Sequence, residues 1–131
     1  MEAALDPLTR PTRVLIVDDE PLFVEMLEAL LGADPRIEIV GAAGDGGEAV
    51  ELAVELEPDV TLMDISMPTM DGIEAVRRIR AKRPQACVVM LTGSSAASDV
   101  DRSRQAGAVG FLTKDRIHAE LVATVLEVAA L

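Results

Sequence analysis

Short apolar segments alternate with longer amphipathic segments along most of the chain. Three apolar segments are continuous, as is typical of strands buried on both faces of a parallel sheet: residues 14–17, 60–63 and 87–91. Two others, residues 37–40 and 109–112, are interrupted by a charged residue or a glycine, so they predict edge strands. The pattern predicts an α/β fold with a doubly wound, five-stranded parallel sheet in the strand order 2-1-3-4-5.

The segments between the strands have helical periodicity and recognisable helix ends. Pro21 at a first helical position predicts a helix that runs to residue 31 and ends at Gly32. Asp71 is the predicted N-cap of a helix over residues 73–83. Further helices are predicted over residues 47–56, 98–106 (ended by Gly107) and 117–131.

The chain has 131 residues, half of them hydrophobic, which is enough for one domain with its own core. Residues 1–12, with Pro7 and Pro11, show neither the apolar run of a buried strand nor the periodicity of a helix. We therefore expect a flexible N-terminal leader followed by a single domain over residues 13–131.

The charge balance is acidic, with 23 Asp and Glu against 12 Lys and Arg and a net charge of −11. Nucleic acids and anionic membranes bind clustered Lys and Arg, so neither is expected as a direct partner. Cys87 and His118 each stand alone in composition, which excludes a disulfide framework or a Cys/His zinc site within one chain. We expect Cys87 to be a small buried hydrophobic residue and His118 an exposed helix residue. Without an apolar stretch of ~20 residues or a signal-peptide pattern, a cytoplasmic location is expected.

Polar side chains follow four of the five predicted strands. They are Asp18, Asp19 and Glu20 after the first, Asp64 after the third, Thr92 after the fourth and Lys114 after the fifth. Ligands of open parallel sheets bind outside the carboxyl ends of the strands, so these groups should share one edge. Clustered carboxylates repel each other unless a cation neutralises them, and oxygen ligands without His or Cys favour Mg²⁺. A carboxylate beside such an ion can attack phosphorus and form an acyl phosphate.

Four motifs lie at or near the ends of the predicted strands: VDDE at residues 17–20, MDISMPTMDG at 63–72, LTG at 91–93 and GFLTK at 110–114. Together these motifs resemble a known family, the receiver domain of two-component response regulators, which has a flavodoxin-like fold. The resemblance covers nearly the whole chain, from about residue 13 to residue 131. It implies a switch that a histidine kinase phosphorylates.

The resemblance also implies a role for each site residue. Asp64 would be the phosphoryl acceptor, with Lys114 and Thr92 contacting the phosphoryl oxygens and Phe111 as the rotating aromatic residue. The Mg²⁺ ligands would be Asp19, Asp64 and the backbone carbonyl of Ser66, with Asp18 acting through water. Ser66 and Ser94 would border the path of the water that hydrolyses the aspartyl phosphate.

One departure from the family pattern points to a branch. Many receivers have proline after the lysine, whereas this chain has Asp115. The Lys-Asp form is similar to receivers whose output is a LuxR-type helix-turn-helix, so a DNA-binding domain beyond this chain, or a homodimer formed on phosphorylation, is expected. A stand-alone receiver that acts by protein–protein interaction remains an alternative.

Other interpretations stay open at the level of single residues. Asp18 and Asp19 could be acids at a helix N-terminus, Asp64 a strand-end cap, Lys114 a solvated charge, Thr92 a strand former and Phe111 a core residue. Residues 44–49 match the G-x-G-x-x-A pattern of dinucleotide-binding loops, but Asp45 and Glu48 would repel a pyrophosphate. A phosphatase that forms an aspartyl phosphate is a further alternative, although Ser66 stands where such enzymes commonly have a second acid.

Overall fold

The computed structural model of the chain describes residues 10–93 and 97–131. In chain order, the strands of this part are β1 (Thr12–Val17), β2 (Ile37–Ala43), β3 (Val60–Asp64), β4 (Val88–Thr92) and β5 (Gly110–Thr113). They form one parallel sheet in the order β2-β1-β3-β4-β5, with β2 and β5 at its edges. The predicted doubly wound topology is therefore confirmed.

The helices of the described part are α1 (Pro21–Gly32), α2 (Gly46–Leu56), α3 (Gly72–Lys82), α4 (Ala97–Ala106) and α5 (Ile117–Ala129), with a 3-10 turn at Lys114–Arg116 before α5. These bounds differ from the predicted ones by one or two residues. No helix within residues 10–93 and 97–131 combines the length and apolar character that crossing a membrane requires.

The expectation for Cys87 needs correction. Cys87 lies before β4 and is half-buried, so it is neither a strand residue nor fully enclosed. Its thiol instead lies 3.7 Å from the carbonyl oxygen of Gln85. The first strand, β1, begins at Thr12, and residues 1–9 of the predicted leader lie outside the described residues.

The core has two halves because successive strand residues point to opposite faces of the sheet. In β1, Val14 and Ile16 pack with residues of α1 and α5 on one face. Leu15 and Val17 pack with residues of α2 and α3 on the other. All four side chains are fully buried, which explains the continuous apolar run.

Aspartate side chains cap the N-termini of α2 and α3, the two helices that pack on the same face of the sheet. Asp71 Oδ1 accepts a hydrogen bond of 2.9 Å from the Glu74 amide, as the capping pattern predicts. At α2, Asp45 Oδ1 accepts one of 2.8 Å from the Glu48 amide, and Glu48 Oε1 one of 2.9 Å from the Gly44 amide. Because these acids already occupy the loop that the G-x-G-x-x-A pattern would assign to a pyrophosphate, the contacts argue against dinucleotide binding there.

Candidate functional site

Side chains from three neighbouring strands meet at the carboxyl edge of the sheet. Asp18 and Asp19 follow β1, Asp64 ends β3 and Thr92 ends β4, with Asp64 in register with Leu91 beside it. Asp18, Asp64 and Thr92 are buried, with 2%, 5% and 6% of their surface exposed, whereas Asp19 is exposed. The strand order alone produces this convergence, since β3 lies between β1 and β4.

Three carboxylates form a compact cluster that could hold a metal ion. One oxygen each of Asp18, Asp19 and Asp64 lies within 4.8 Å of the others. The donors are all hard oxygen atoms, and one of the three side chains is open to solvent, so a hydrated divalent cation such as Mg²⁺ fits the set. Mutual repulsion of these charges in a partly dry site makes a cation favourable there.

Lys114, directly after β5, places its ammonium group among the acids. Its Nζ donates a hydrogen bond of 3.1 Å to Asp18 Oδ2 and lies 3.5 Å from Asp64 Oδ1. A third carboxylate, that of Glu20, lies 3.8 Å away, and the centroid of the Phe23 ring lies 4.2 Å away. Lys114 thus lies against the carboxylate cluster and is not a solvated surface charge. The peptide bond between Lys114 and Asp115 is trans.

The electrostatic environment perturbs both Asp64 and Lys114. Burial, followed by the charge of Asp18, raises the pKa of Asp64 from 3.8 to about 6, although Lys114 acts in the opposite direction. Burial disfavours the charge on Lys114, but the hydrogen bond to Asp18 and the charge of Asp64 outweigh it, so the pKa of Lys114 is raised. The ammonium therefore stays charged at neutral pH, whereas protonation of Asp64 falls within an ordinary experimental range.

Backbone contacts fix the two principal acids. The second oxygen of Asp18, Oδ1, accepts a hydrogen bond of 2.9 Å from the Glu20 amide at the start of α1. Behind Asp64, the Gly72 amide donates to the Ile65 carbonyl at 2.8 Å, so α3 begins directly against the end of β3. A Cβ atom at position 72 would clash with the Asp64 carbonyl oxygen, so this approach requires glycine.

Sequence reasoning missed Phe23 and Gly72 as parts of the site. The available signals were weak: Phe23 follows the Asp18–Glu20 acids by a few residues, and Gly72 follows the predicted cap Asp71. Phe23 contacts Lys114, which is 91 positions away in the sequence, whereas Gly72 contacts the backbone at the end of β3, only seven or eight positions before it.

The remaining predicted residues lie around the cluster. Ser66 is exposed, two residues beyond Asp64. Phe111 is half-buried in β5, packs against the core on the α2 and α3 face, and borders a cavity of about 130 Å³ between α4 and β5. Ser94 lies outside the described residues.

The chain is similar in sequence to a known protein family and to several of its members. The family model for the response regulator receiver domain matches residues 14–126. The nitrate/nitrite response regulator protein NarP of Escherichia coli is 42% identical over 109 residues, covering 83% of this chain and 51% of NarP. Protein-glutamate methylesterase/protein-glutamine glutaminase 3 of Myxococcus xanthus is 46% identical over 103 residues, covering 79% of this chain and 29% of the relative.

A solved structure shows the same fold. The CheX–CheY complex with BeF₃ and Mg²⁺ from Borrelia burgdorferi contains a chain that is 31% identical, with a TM-score of 0.84, covering 90% of this chain and 89% of that one. The present chain spans about half of NarP and less than a third of the methylesterase. With a family model matched over most of its length, the chain belongs to the response regulator receiver domain family.

Proposed function

We propose that this chain is a phosphoacceptor switch in which Asp64 takes a phosphoryl group from a phosphohistidine of a partner histidine kinase. The observation that carries the proposal is the position of the Asp64 carboxylate, 3.5 Å from the Lys114 ammonium and within 4.8 Å of two further carboxylates. A carboxylate so placed lies next to the Lys114 ammonium and also belongs to a potential cation site. Both would offset the charge of an approaching phosphoryl group.

The transfer exchanges one bond to phosphorus for another. A carboxylate oxygen of Asp64 bonds to phosphorus as the P–N bond to the donor imidazole breaks, and the imidazole keeps the electron pair and takes up a proton. Lys114 contributes a positive charge beside the phosphoryl oxygens, and Thr92 at the adjoining strand end contributes a hydroxyl. The protein supplies position and charge rather than a second covalent step.

The carboxylates of Asp18, Asp19 and Asp64 with the backbone carbonyl of Ser66 would hold Mg²⁺. Bound there, the ion would neutralise carboxylate and phosphoryl charge. The compact oxygen cluster supports this assignment, as does the exposed Asp19, which leaves room for water on the ion.

Phosphorylation is proposed to change the surface formed by β4, α4 and β5. A phosphoryl group at Asp64 would draw the Thr92 hydroxyl inward and favour a turn of the Phe111 ring, and only contacts of this differential kind shift a two-state equilibrium. Phe111 is half-buried and borders a cavity of about 130 Å³, and this free space supports the proposed turn of its ring. This surface would then bind an output partner or a second copy of the chain. The chain as a whole carries a net charge of −11, which does not favour direct binding to nucleic acid.

The alternative of a phosphatase finds less support in the site. Ser66 offers a hydroxyl two residues beyond Asp64, where a general acid would be needed for turnover, so we infer a switch limited to its own phosphorylation and dephosphorylation. Ser66 and Ser94 are both short, and we propose that they hold the hydrolytic water poorly and give the phosphorylated form a lifetime of minutes or more. Replacing them together, Ser66→Asn with Ser94→Glu, should speed decay; an unchanged decay would contradict their role.

The assignment of Asp64 is tested by labelling with acetyl phosphate and Mg²⁺, followed by intact mass. We expect one phosphoryl group, released by hydroxylamine, and none on the Asp64→Asn variant. Asp71→Asn is the matched control, because this acid is near the site but caps α3, and Asn also caps helices. Undiminished labelling of Asp64→Asn would overturn the assignment, and sustained turnover of a phosphomonoester would favour the phosphatase.

A further inference from the structure

The face of an aromatic ring lies close to the ammonium group of the site. Phe23 is in the first turn of α1, and its ring centroid is 4.2 Å from Lys114 Nζ. An ammonium within about 6 Å of a ring centroid is attracted by the ring quadrupole. The Lys114 side chain is 22% exposed, so part of its hydration is already lost and the attraction is stronger than at an open surface.

The ring differs in kind from the other neighbours of Lys114. Asp18, Asp64 and Glu20 attract the ammonium through oxygen atoms, and two of these acids belong to the carboxylate cluster. Oxygen atoms that bind a metal ion are less available to Lys114. The phenylalanine ring has no oxygen atom with which to bind the metal ion. Its attraction for the Lys114 ammonium therefore persists when the carboxylates bind the metal ion.

The position of the ring is itself fixed by the site. Asp18 Oδ1 accepts from the Glu20 amide, and Glu20 is followed by Pro21, whose restricted φ suits the first helical position. Two residues on, Phe23 is partly buried against the core formed with α5. The carboxylate that contacts Lys114 through one oxygen therefore anchors, through the other, the helix that carries the ring.

We propose that Phe23 is a positioning residue. Its ring keeps the Lys114 ammonium beside the carboxylate cluster when Asp18 and Asp64 interact with the metal ion. The inference rests on the proposed function, since the ammonium is held for a phosphoryl group. Without the ring, the flexible four-carbon stem would let the ammonium sample solvent, and contact with the phosphoryl oxygens would carry a larger ordering cost.

The first test replaces Phe23 by Leu and measures binding of Mg²⁺ alone and of beryllofluoride in the presence of Mg²⁺. We expect Mg²⁺ affinity to stay within about twofold and beryllofluoride affinity to fall by about threefold to tenfold, the range for a partly desolvated cation–ring contact. Leu22→Ala is the matched control, because Leu22 is adjacent on α1 but 79% exposed. Equal losses of both affinities would show a merely structural role and overturn the proposal.

A second test keeps the shape of the ring and changes its charge distribution. Phenylalanines with one, two and three fluorine atoms are placed site-specifically at position 23. Beryllofluoride affinity should fall stepwise as fluorine atoms are added. The stepwise effect should vanish in a Lys114→Gln background, because the two residues are then uncoupled. A flat series, or one that persists without Lys114, would overturn the proposal.

A third measurement separates this inference from the proposed function. The ε protons of Lys114 should show an upfield ring-current shift by NMR in the free protein, lost in Phe23→Leu. Absence of that shift would overturn the positioning role and leave the phosphoacceptor function untouched. If the shift is present but the wild-type chain binds no beryllofluoride with Mg²⁺, the proposed function fails, and the positioning role for a phosphoryl group fails with it.

Discussion

Lys114 donates a hydrogen bond of 3.1 Å to Asp18, although 96 positions separate the two residues in the sequence. The Asp18 side chain has no exposed surface, so the ammonium compensates a charge that water cannot reach. The contact joins the end of β1 to the end of β5, across β3 and β4. Lys114 and Asp18 thus pair with each other in the free chain. In the proposed function, Lys114 contacts the phosphoryl oxygens and Asp18 helps to hold the metal ion.

Asp64 predicts how stability depends on pH in Mg²⁺-free buffer. Its pKa in the folded chain is about 6, above the ordinary 3.8, so between these pH values the folded state binds more protons than the unfolded state. The free energy of unfolding therefore decreases as the pH rises from about 4 to 6, and the loss persists above 6. We expect Asp64→Asn to stabilise the chain more at pH 7.5 than at pH 4, by about 1–2 kcal/mol, since solvent reduces the full effect of the shift.

Urea unfolding followed by circular dichroism at both pH values measures this difference. Saturating Mg²⁺ should reverse the order at pH 7.5, because an ion that binds only the folded wild-type chain stabilises it. A variant whose stabilisation is equal at pH 4 and pH 7.5 would contradict the raised pKa.

Gly72 predicts a strong effect from a single methyl group. In Gly72→Ala, the new Cβ would clash with the Asp64 carbonyl oxygen, so α3 or the end of β3 must move. We expect a loss of about 1–3 kcal/mol in unfolding free energy, with weaker Mg²⁺ binding because Asp64 is displaced. Gly32→Ala is the matched control, since nothing lies within 4 Å of a Cβ there. Similar stability of the two variants would contradict this close approach.

Ser103 predicts a gain in stability. It is 1% exposed, and its hydroxyl has no hydrogen-bond partner among the described residues, an arrangement that costs free energy on burial. Ser103→Ala should raise the free energy of unfolding by about 1 kcal/mol, whereas Ser98→Ala, at an exposed position of the same helix, should change it by less than about 0.5 kcal/mol. A destabilised Ser103→Ala variant would show that the hydroxyl is satisfied in solution.

Thr69 predicts a smaller gain in the segment between β3 and α3. Its φ of 72° is left-handed, a conformation that a β-branched residue adopts at a cost. Thr69→Gly should raise the unfolding free energy by about 0.5–1 kcal/mol, because relief of strain exceeds the added chain entropy of glycine. Thr69→Ala keeps the unfavourable φ and should give no comparable gain. Equal stabilities of the Gly and Ala variants would contradict the strain.

The predictions that succeeded from the sequence depend on local periodicity. The continuous apolar run around Leu15 and Ile16 predicts a strand buried on both faces, and both side chains are fully buried. The capping pattern predicts Asp71 as a helix N-cap, and its side chain accepts a hydrogen bond from the Glu74 amide. Cys87 was misplaced because an apolar run does not show where pairing in a strand begins. The functional roles of Asp64, Thr92 and Lys114 remain predictions that the proposed experiments test.

The sequence by itself determined the alternation of strands and helices, and with it the edge to which the chemical groups belong. These features follow from apolar spacing and from capping residues, which act over a few positions. The tertiary structure decided that Asp18 is buried while Asp19 is exposed, that the Phe23 ring faces Lys114 and that Gly72 meets the end of β3. Such contacts join residues up to 96 positions apart, and they depend on how each helix packs against the sheet, which no local pattern encodes.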